Sequence, residues 1–485
     1  MKIRGKKFFS ANADCDMKKK ILFLVLSSYT DVYKNSKITV GVPKLPLLSI
    51  GLLLRIAENA GAESRLFDMS IASDNNQLSE LKIALDEFNP DIVGFGFTTT
   101  LYREAFETCA FIKKEKNKTV IICGGVHPSL FPEDILTNFP VDIVFIGESE
   151  KNLYQYLTEK NLVDIQGIAY KSNEKIITQN NVEYSSKIDD LPFPAWEHFD
   201  LKKYYYPKIN VHQPPALPII TSLGCPYSCN FCTKIIHGGR FRMMSPERVI
   251  SEIEYLKKIG AGEFHIWDDQ FTTDLPRAKR ICELLIKREI KMKWNIFIGV
   301  RVNSIDREFL SLAKKSGLYQ IAYAPESGSQ IILDEIKKNI TLEDSITTFE
   351  MTHKLGLETV AFFVIGFLNE TQETIKQTIN FAKKLNPDFA KVTIALPLPK
   401  TKFYNELLSK NLINSFDWQL YNFHLKHQVW SHPVLTWDDL YDAYNRFYSS
   451  YYFRLEYIFK AFKRSLKNGN LLFEITGAFK TFLSR

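Results

Sequence analysis

Short apolar runs alternate with amphipathic segments over the first third of the chain. Five mainly apolar runs are separated by longer segments in which apolar positions recur every three or four residues. A short apolar run predicts a strand buried on both faces, and the longer period predicts a helix, so the pattern indicates βαβ units. We therefore predict a doubly wound parallel α/β sheet. Its predicted strands are residues 21–26, 64–69, 91–97, 119–123 and 142–146.

A second strand–helix series begins near residue 206. Six βα repeats fit within about 190 residues, which is too few for a closed eight-stranded barrel and predicts a partial (β/α)6 barrel. The predicted strands are residues 217–223, 263–268, 293–301, 318–324, 359–367 and 390–396. We divide the chain into a tail (1–20), the first α/β domain (21–158), a linker with a hairpin (159–205), the barrel (206–400) and a helical C-terminal region (401–485).

Composition and the distribution of charge along the chain limit the classes of protein and of partner that fit this sequence. The 485 residues are 45% hydrophobic and 24% charged, which excludes a disordered or fibrous protein. The net charge of +7 is concentrated at the termini, because residues 1–20 and 451–485 each carry +5, which leaves −3 between them. We predict no nucleic-acid partner. No apolar run approaches the roughly 18 residues that a spanning helix needs, so we expect a cytoplasmic protein, with Met17 as an alternative start to Met1.

Unusual loops follow three predicted strands of the first domain. In such sheets, ligands bind beyond the carboxyl ends of the strands. Glycines there let a ligand approach the backbone closely, and hydroxyl groups offer hydrogen bonds. Ordinary helix-capping turns are the alternative. The loops are Thr98-Thr99-Thr100, Gly124-Gly125-Val126-His127-Pro128 and Gly147-Glu148-Ser149-Glu150.

Three of the seven cysteines lie within eight residues, directly after the first strand of the second series. Cys225, Cys229 and Cys232 have the spacing C-x3-C-x2-C. Three thiolates can bind three irons of a [4Fe–4S] cluster and leave the fourth iron open for chemistry. Zinc is the competing metal, and His237 is the nearest candidate for a fourth ligand. The cysteine pattern does not suggest a disulfide framework in a chain of this length.

This cysteine motif, with Phe231 before the last cysteine, resembles the radical S-adenosylmethionine superfamily. The loops with Gly124-Gly125 and Gly147-Glu148 are similar to its cobalamin-binding branch, which includes radical methyltransferases and the anaerobic magnesium-protoporphyrin ester cyclase group. The resemblance spans roughly residues 20–460. It implies a [4Fe–4S] cluster, S-adenosylmethionine cleaved to a 5′-deoxyadenosyl radical, and a Rossmann-like domain that binds cobalamin.

The resemblance also implies two sets of binding residues, whereas no catalytic residue is assigned. Asp268 and Asp269 would meet the methionine amino group, Arg301 its carboxylate and Glu326 the ribose. The full set implied for S-adenosylmethionine is Asp268, Asp269, Arg301, Glu326, Ser327, Ile365 and Leu396. The set implied for cobalamin is Thr98, Thr99, Gly124, Gly125, His127, Gly147 and Glu148.

The sequence departs from the family pattern in three loops. Ser27 to Lys34 lacks the Asp-x-His-x-x-Gly element through which other cobalamin proteins supply a histidine to cobalt, so that ligand is not expected here. The loops after the fifth and sixth barrel strands read Gly366-Phe-Leu-Asn-Glu370-Thr and Pro397-Leu-Pro-Lys-Thr401. We expect these two differences to change loop shape more than cofactor binding.

The resemblance implies methylation of an unactivated carbon. The alternatives are radical cyclisation, ring rearrangement, oxygen insertion or epimerisation on the same fold, and a sensor that never turns over. A methylthiotransferase is excluded, because a second close set of three cysteines is absent from the sequence. We expect a small-molecule or lipid-like substrate and a flavodoxin- or ferredoxin-type electron donor.

A stripe of large apolar residues marks the C-terminal region. Its members recur every three or four residues and alternate with lysines and arginines, which predicts a helix whose apolar side faces the core. Peripheral membrane contact through the same helices is the alternative. The stripe comprises Tyr448, Tyr452, Leu455, Phe459, Phe462 and Leu466.

Overall fold

The computed structural model describes residues 18–27, 44–72, 76–158, 160–422 and 428–469. The alternative start at Met17, nearly all of the loop from Ser27 to Lys34 and residues 470–485 lie outside this part. Within it, both predicted strand–helix series are present, and the fold is α/β as predicted. The division into domains stays a prediction.

The first sheet contains the five predicted strands in parallel, in the order β2-β1-β3-β4-β5. Its core lies on both faces, because alternate residues of β1 pack against different sets of helices. The strands are β1 Lys20–Val25, β2 Glu63–Asp68, β3 Ile92–Gly96, β4 Val120–Gly124 and β5 Ile143–Phe145. The helices are α1 Leu48–Asn59, α2 Gln77–Phe88, α3 Tyr102–Glu115, α4 Val126–Leu130, α5 Pro132–Asn138 and α6 Glu150–Leu157.

The hairpin predicted within the linker is part of the first sheet. β6 Ile168–Ser172 and β7 Lys175–Gln179 are antiparallel, and β6 pairs with β5. Sequence periodicity alone did not reveal this pairing, because a hairpin carries no signal for the strand it joins. The N-terminal sheet therefore continues beyond residue 158.

The second sheet is parallel and six-stranded, in the order β15-β14-β13-β12-β11-β8, as the partial barrel requires. Its first strand is followed by a short antiparallel pair, β9 with β10. The strands are β8 Ala216–Ile219, β9 Ser222–Leu223, β10 Arg242–Met243, β11 Glu263–Ile266, β12 Lys293–Val300, β13 Leu318–Glu326, β14 Glu358–Ile365 and β15 Phe389–Ile394. The helices are α7 Pro246–Lys258, α8 Leu275–Lys287, α9 Arg307–Lys315, α10 Gln330–Glu335, α11 Leu342–Lys354 and α12 Gln372–Leu385.

The C-terminal region covers the open edge of this sheet. Three helices follow, α13 Lys402–Ser409, α14 Trp437–Tyr452 and α15 Leu455–Asn468. The Tyr448 hydroxyl bonds both Val392 N (3.2 Å) and Val392 O (3.1 Å), and Tyr452 does the same at Ala390 (3.0 and 2.8 Å). Two tyrosines thus satisfy four backbone groups that an edge strand would otherwise expose.

The second half of the apolar stripe faces outward, so the predicted core-facing helix is wrong there. On α15, Leu455 is 74% exposed and Phe459 65%, and Phe462 and Leu466 are exposed as well. The basic side packs inward instead, because Lys460 and Arg464 both contact Asp388. Among the helices of the described residues, none has the length and apolar character needed to cross a bilayer.

Candidate functional site

The three cysteines lie on a loop, residues 224–241, that we name the cluster loop. β9 and β10 pair at its two ends and close it. Gly224 starts the loop with φ +82, and a Cβ at this position would lie 2.0 Å from Arg240 O. Only glycine accommodates both that backbone conformation and that contact. The loop closure therefore depends on the residue directly before Cys225.

Contacts to the carboxyl end of the barrel hold the cluster loop in place. Asn230 donates from Nδ2 to Glu335 O (2.6 Å) and from its backbone N–H to Ile336 O (3.0 Å), and its own carbonyl accepts from Phe403 N (3.0 Å). The aromatic residue predicted to matter, Phe231, packs on Phe367 after β14, with ring centroids 5.5 Å apart. The loop thus lies where the barrel strands end.

The cysteine thiols lie close enough to influence one another. Burial, then the charges of Cys225, Cys229 and Asp269, raise the pKa of the Cys232 thiol to about 11. Burial also raises the pKa of Cys225, again with Asp269 contributing. Iron binding replaces the thiol proton, and so removes the cost that burial imposes on the thiolates.

The donor set suits a cluster, although its assignment stays a prediction. Throughout the described ranges, no three His, Cys, Asp or Glu side chains converge as ligands of a single metal ion. A cubane makes a different demand, because each thiolate binds a different iron. His237, the fourth ligand that zinc would need, points its Nδ1 at Glu148 Oε1 (2.6 Å).

The two adjacent aspartates have different surroundings. Asp268 is 1% exposed, and its carboxylate accepts hydrogen bonds from Thr221 N (2.5 Å), Thr221 Oγ1 (2.6 Å) and Ser222 Oγ (2.6 Å). It therefore connects β11 to the start of the cluster loop and is already bound within the protein. Asp269 is exposed and interacts with the cysteines. Of the pair, Asp269 is the carboxylate available to a ligand.

Arg301 is buried at the end of β12 with part of its guanidinium unused. Its side chain stacks 3.9 Å from the Tyr227 ring of the cluster loop, and Nη2 donates to Asn339 O (2.8 Å). Nη1 is buried and makes no hydrogen bond to the described residues. A buried donor without a partner is costly, and a ligand carboxylate would satisfy it, as the predicted role requires.

Glu326 has a partner that the sequence analysis missed. It ends β13 in the left-handed region with φ +63, and its carboxylate accepts from Lys338 Nζ (2.6 Å), whose charge also acts on Cys232. Ser327 bonds Thr378 Oγ1 (3.1 Å), and a Cβ on Gly328 would lie 2.5 Å from Phe381 Cβ. Ser327 and Gly328 thus fix α12, and Glu326 with Lys338 faces the site.

The residues predicted on the adenine side are buried and apolar. Ile365 and Leu396 belong to the hydrophobic core at the ends of the last two strands. The loop between Ile365 and α12 takes its shape from Glu370, whose carboxylate accepts hydrogen bonds from Gly366 N (3.1 Å) and Thr374 Oγ1 (2.9 Å). Burial raises the pKa of Glu370 to about 7. The expectation that the departure from the family pattern, at Leu368, changes loop shape stays a prediction.

A cavity of about 640 Å³ lies between the carboxyl edge of the first sheet and the barrel. Two turns in its wall have a backbone conformation that favours glycine, because Gly125 has φ +95 and Gly147 has φ +74. The barrel side of the cavity includes Ile236 and His237 of the cluster loop and Trp267 after β11. Five residues of the set implied for cobalamin line it, namely Thr98, Gly124, Gly125, Gly147 and Glu148.

The other two residues of that set lie away from the cavity. Thr99 Oγ1 bonds His127 Nδ1 (3.0 Å), and both residues are buried. The His127 ring contacts Tyr102 (5.0 Å between centroids) and Trp418 (5.8 Å), and burial lowers its pKa to about 3. These contacts give His127 a packing role.

Glu148 joins the first sheet to the cluster loop. Its carboxylate accepts from His237 Nδ1 and from Arg242, at 3.0 Å between Nη1 and Oε2. Although burial favours the neutral acid, these hydrogen bonds hold the pKa of Glu148 below its usual value. We name this trio of Glu148, His237 and Arg242 the Glu148 bridge. The sequence offered no signal for it, because the partners lie about 90 residues apart.

The fold and these sites define a class: α/β enzymes with two sheets, each of which presents its carboxyl end to a shared cofactor region. The family model of the Radical SAM superfamily matches residues 219–382, and that of the B12 binding domain matches residues 38–157. The B12 binding match falls on the first sheet, and the Radical SAM match falls on the second.

Relatives agree with these matches. An uncharacterised methyltransferase of Pyrococcus horikoshii is 33% identical over 351 residues, covering 71% of this chain and 75% of that protein. The anaerobic magnesium-protoporphyrin IX monomethyl ester cyclase of Rubrivivax gelatinosus is 30% identical, covering 72% and 64%. The solved structure of the cobalamin-dependent S-adenosylmethionine radical enzyme OxsB shares the fold, with a TM-score of 0.72, 20% identity and coverage of 96% and 72%.

The chain belongs to the radical S-adenosylmethionine superfamily, in the branch that carries a B12-binding domain. It is therefore an enzyme whose cofactors are a [4Fe–4S] cluster, S-adenosylmethionine and cobalamin. The family resemblance stated from the cysteine motif is confirmed. The individual binding residues stay predictions.

Proposed function

We propose that this enzyme transfers a methyl group to an unactivated carbon of a small molecule. In this family, S-adenosylmethionine bound at the cluster supplies the radical that takes a hydrogen atom, and cobalamin supplies the methyl group. The observation that carries the proposal is that Gly147-Glu148 of the first sheet and Ile236-His237 of the cluster loop line the same cavity. Methyl transfer needs both cofactors at one substrate.

The protein's own residues have separable tasks in this proposal. Cys225, Cys229 and Cys232 hold the cluster, and Asp269 and Arg301 neutralise the charged ends of the methionine part. The Glu148 bridge keeps the cluster loop aligned with the first sheet. The apolar wall of the cavity keeps bulk water away from the reacting groups.

Radiolabelled S-adenosylmethionine tests the proposed reaction. The anaerobically reconstituted enzyme, reduced and supplied with candidate substrates, is expected to release 5′-deoxyadenosine and to place the labelled methyl group in the product. 5′-Deoxyadenosine with an unlabelled product would contradict methyl transfer and favour a cyclisation or rearrangement. Absence of 5′-deoxyadenosine from protein shown to carry the cluster would contradict radical chemistry and favour a sensor.

The cyclase relative favours a second candidate, radical ring formation. The named cyclase of Rubrivivax gelatinosus is 30% identical, close to the value for the methyltransferase of Pyrococcus horikoshii. The chain spans 64% of that cyclase and 75% of the methyltransferase. We place methyl transfer first because the larger share and the higher identity both belong to the methyltransferase.

The partners follow from the chemistry and from α15. Reduction of the cluster requires a one-electron donor, for which we propose a flavodoxin- or ferredoxin-type protein.

For the exposed face of α15 we propose contact with an anionic lipid surface. Its apolar residues Leu455, Phe459 and Phe462 are exposed, Lys463 lies beside them, and residues 451–485 carry +5.

Vesicle sedimentation tests the lipid contact. Replacing both Phe459 and Phe462 with serine is expected to weaken binding to phosphatidylglycerol-containing vesicles by roughly a hundredfold or more, because each buried phenyl ring contributes about 1.5–3 kcal/mol. Phe416→Ser, at a phenylalanine that is 59% exposed elsewhere, is the matched control. Equal binding of the double variant, or self-association without vesicles that the same change abolishes, would contradict a lipid partner.

A further inference from the structure

Among the described residues, a lysine on the inner face of the barrel has neither a hydrogen-bond partner nor an ion-pair partner. Lys391 lies on β15 and pairs in register with Phe362 of β14. The next residue along β14, Phe363, packs outward against Phe447 of α14, with ring centroids 5.5 Å apart. Because side chains alternate along a strand, Phe362 and Lys391 point to the inside. The Lys391 Nζ lies 5.9 Å from the Phe362 ring centroid.

Within the described residues, the ammonium of Lys391 makes no hydrogen bond and no ion pair. The side chain is only partly exposed, and burial lowers its pKa. An enclosed lysine is usually paired, since a charge away from water is costly unless an opposite charge compensates it. Lys391 thus offers a positive charge that another molecule can use.

The acidic residues of this region are already engaged. Glu263, at the amino end of β11, accepts from His265 Nε2 (2.7 Å), Tyr319 Oη (2.8 Å) and the backbone N–H of His212 and Gln213 (2.9 and 2.7 Å). Glu358 at the start of β14 accepts from Gln320 and Asn468. Neither carboxylate pairs with Lys391, and within the described residues no acidic side chain forms an ion pair with it, Asp388 being paired with Lys460 and Arg464.

The inner face beside Lys391 is partly exposed at Phe362, Val364 and Thr393, and it carries aromatic rings. A Cβ on Gly299 of β12 would lie 2.9 Å from Phe362 Cδ2 and 2.9 Å from Ala324 Cβ, so glycine makes room for the Phe362 ring across the barrel. Phe297 of β12 is partly exposed and stacks on Trp267, with centroids 5.9 Å apart. Trp267 lines the cavity shared with the first sheet. The Phe297 ring on the inner barrel face therefore packs against a residue of that cavity's wall.

We propose that Lys391 binds an anionic group of the substrate, a carboxylate or a phosphate, while the apolar part of the substrate contacts Phe362 and Phe297. This inference rests on the proposed function, in which a small-molecule substrate lies close to both cofactors. An ammonium recognises both anions by the same charge-assisted hydrogen bond. Lys391 is then a specificity-determining residue that selects acidic substrates.

Equilibrium dialysis with simple probes tests the site. The full-length holoenzyme, loaded with S-adenosylmethionine and cobalamin but without reductant, is dialysed against phenyl phosphate, benzoate and neutral phenol. One equivalent of at least one anion is expected to bind. Lys391→Met is expected to raise the dissociation constant of that anion roughly tenfold or more and to leave phenol unchanged. Lys391→Arg, which keeps the charge, should retain binding.

A matched surface lysine controls for net charge. The side chain of Lys354 is 77% exposed, and Lys354→Met should bind the anions as the unmodified protein does. A preference for phenyl phosphate or for benzoate identifies which anion the site takes. Equal anion affinity in Lys391→Met, or no preference of the unmodified protein for an anion over phenol, would overturn the proposal. Because no turnover occurs, a failure of methyl transfer leaves this result unaffected.

Discussion

Replacing Cys229 with alanine is expected to abolish both the brown colour of the reconstituted protein and the formation of 5′-deoxyadenosine. Three thiolates leave one iron of the cubane without a protein ligand. Removal of one thiolate exposes a second iron to solvent and destabilises the cubane. The measurements are absorbance near 400 nm, iron and sulfide content, and 5′-deoxyadenosine after reduction. Activity should fall to background, because no other residue supplies the lost bond.

Ser228→Ala is the matched control for Cys229→Ala. Ser228 is the exposed neighbour on the cluster loop, and its substitution should leave iron content unchanged. Retained 5′-deoxyadenosine formation in Cys229→Ala would show that the cluster ligands are misassigned. A colourless unmodified protein that binds one zinc per chain would instead favour the zinc interpretation.

Strand positions could be predicted from the sequence because they depend on local patterns. Each of the eleven predicted parallel strands is present, although the strand predicted over residues 217–223 ends at Ile219 and its last two residues form the antiparallel β9. Pairing partners are a different matter. The hairpin of β6 and β7 was found, but its attachment to β5 depends on contacts outside the hairpin itself.

The residue types at the site could be predicted, but not their tasks. Asp268 and Asp269 are chemically identical, and only the tertiary contacts of Asp268 with the backbone N–H and hydroxyl of Thr221 and the hydroxyl of Ser222 distinguish them. Lys338 was missed, because twelve residues separate it from Glu326 and nothing in the sequence marks the pair. Tertiary contacts assign these roles.

The orientation of α15 shows a further limit of pattern analysis. Periodicity identifies an amphipathic helix but does not say which side faces the protein. Here Asp388, buried near the start of β15, contacts Lys460 and Arg464 and so turns the basic side inward. An opposite charge on the barrel thus determined the orientation.

Glu148→Gln is expected to separate radical formation from methyl transfer. The amide keeps the size of the side chain but removes the charge that pairs with Arg242 and His237. The cysteines and the contacts through which Asn230 and Phe231 hold the cluster loop to the barrel are untouched, so 5′-deoxyadenosine should still form. Misalignment of reacting groups by about 1 Å can cost on the order of 10²-fold in rate. We therefore expect the ratio of methylated product to 5′-deoxyadenosine to fall by about that factor.

The cobalamin content decides what this result means, because Glu148 was predicted to contact cobalamin and is found to join the first sheet to the cluster loop. If Glu148→Gln retains cobalamin by absorbance while coupling falls, the bridge aligns the two halves. If cobalamin is lost, Glu148 is a cobalamin-binding residue and the alignment role is contradicted. An unchanged ratio would contradict both roles. Glu183→Gln, which removes an exposed partner of Lys151, is the matched control and should leave coupling intact, because that ion pair lies in solvent and does not reach the cluster loop.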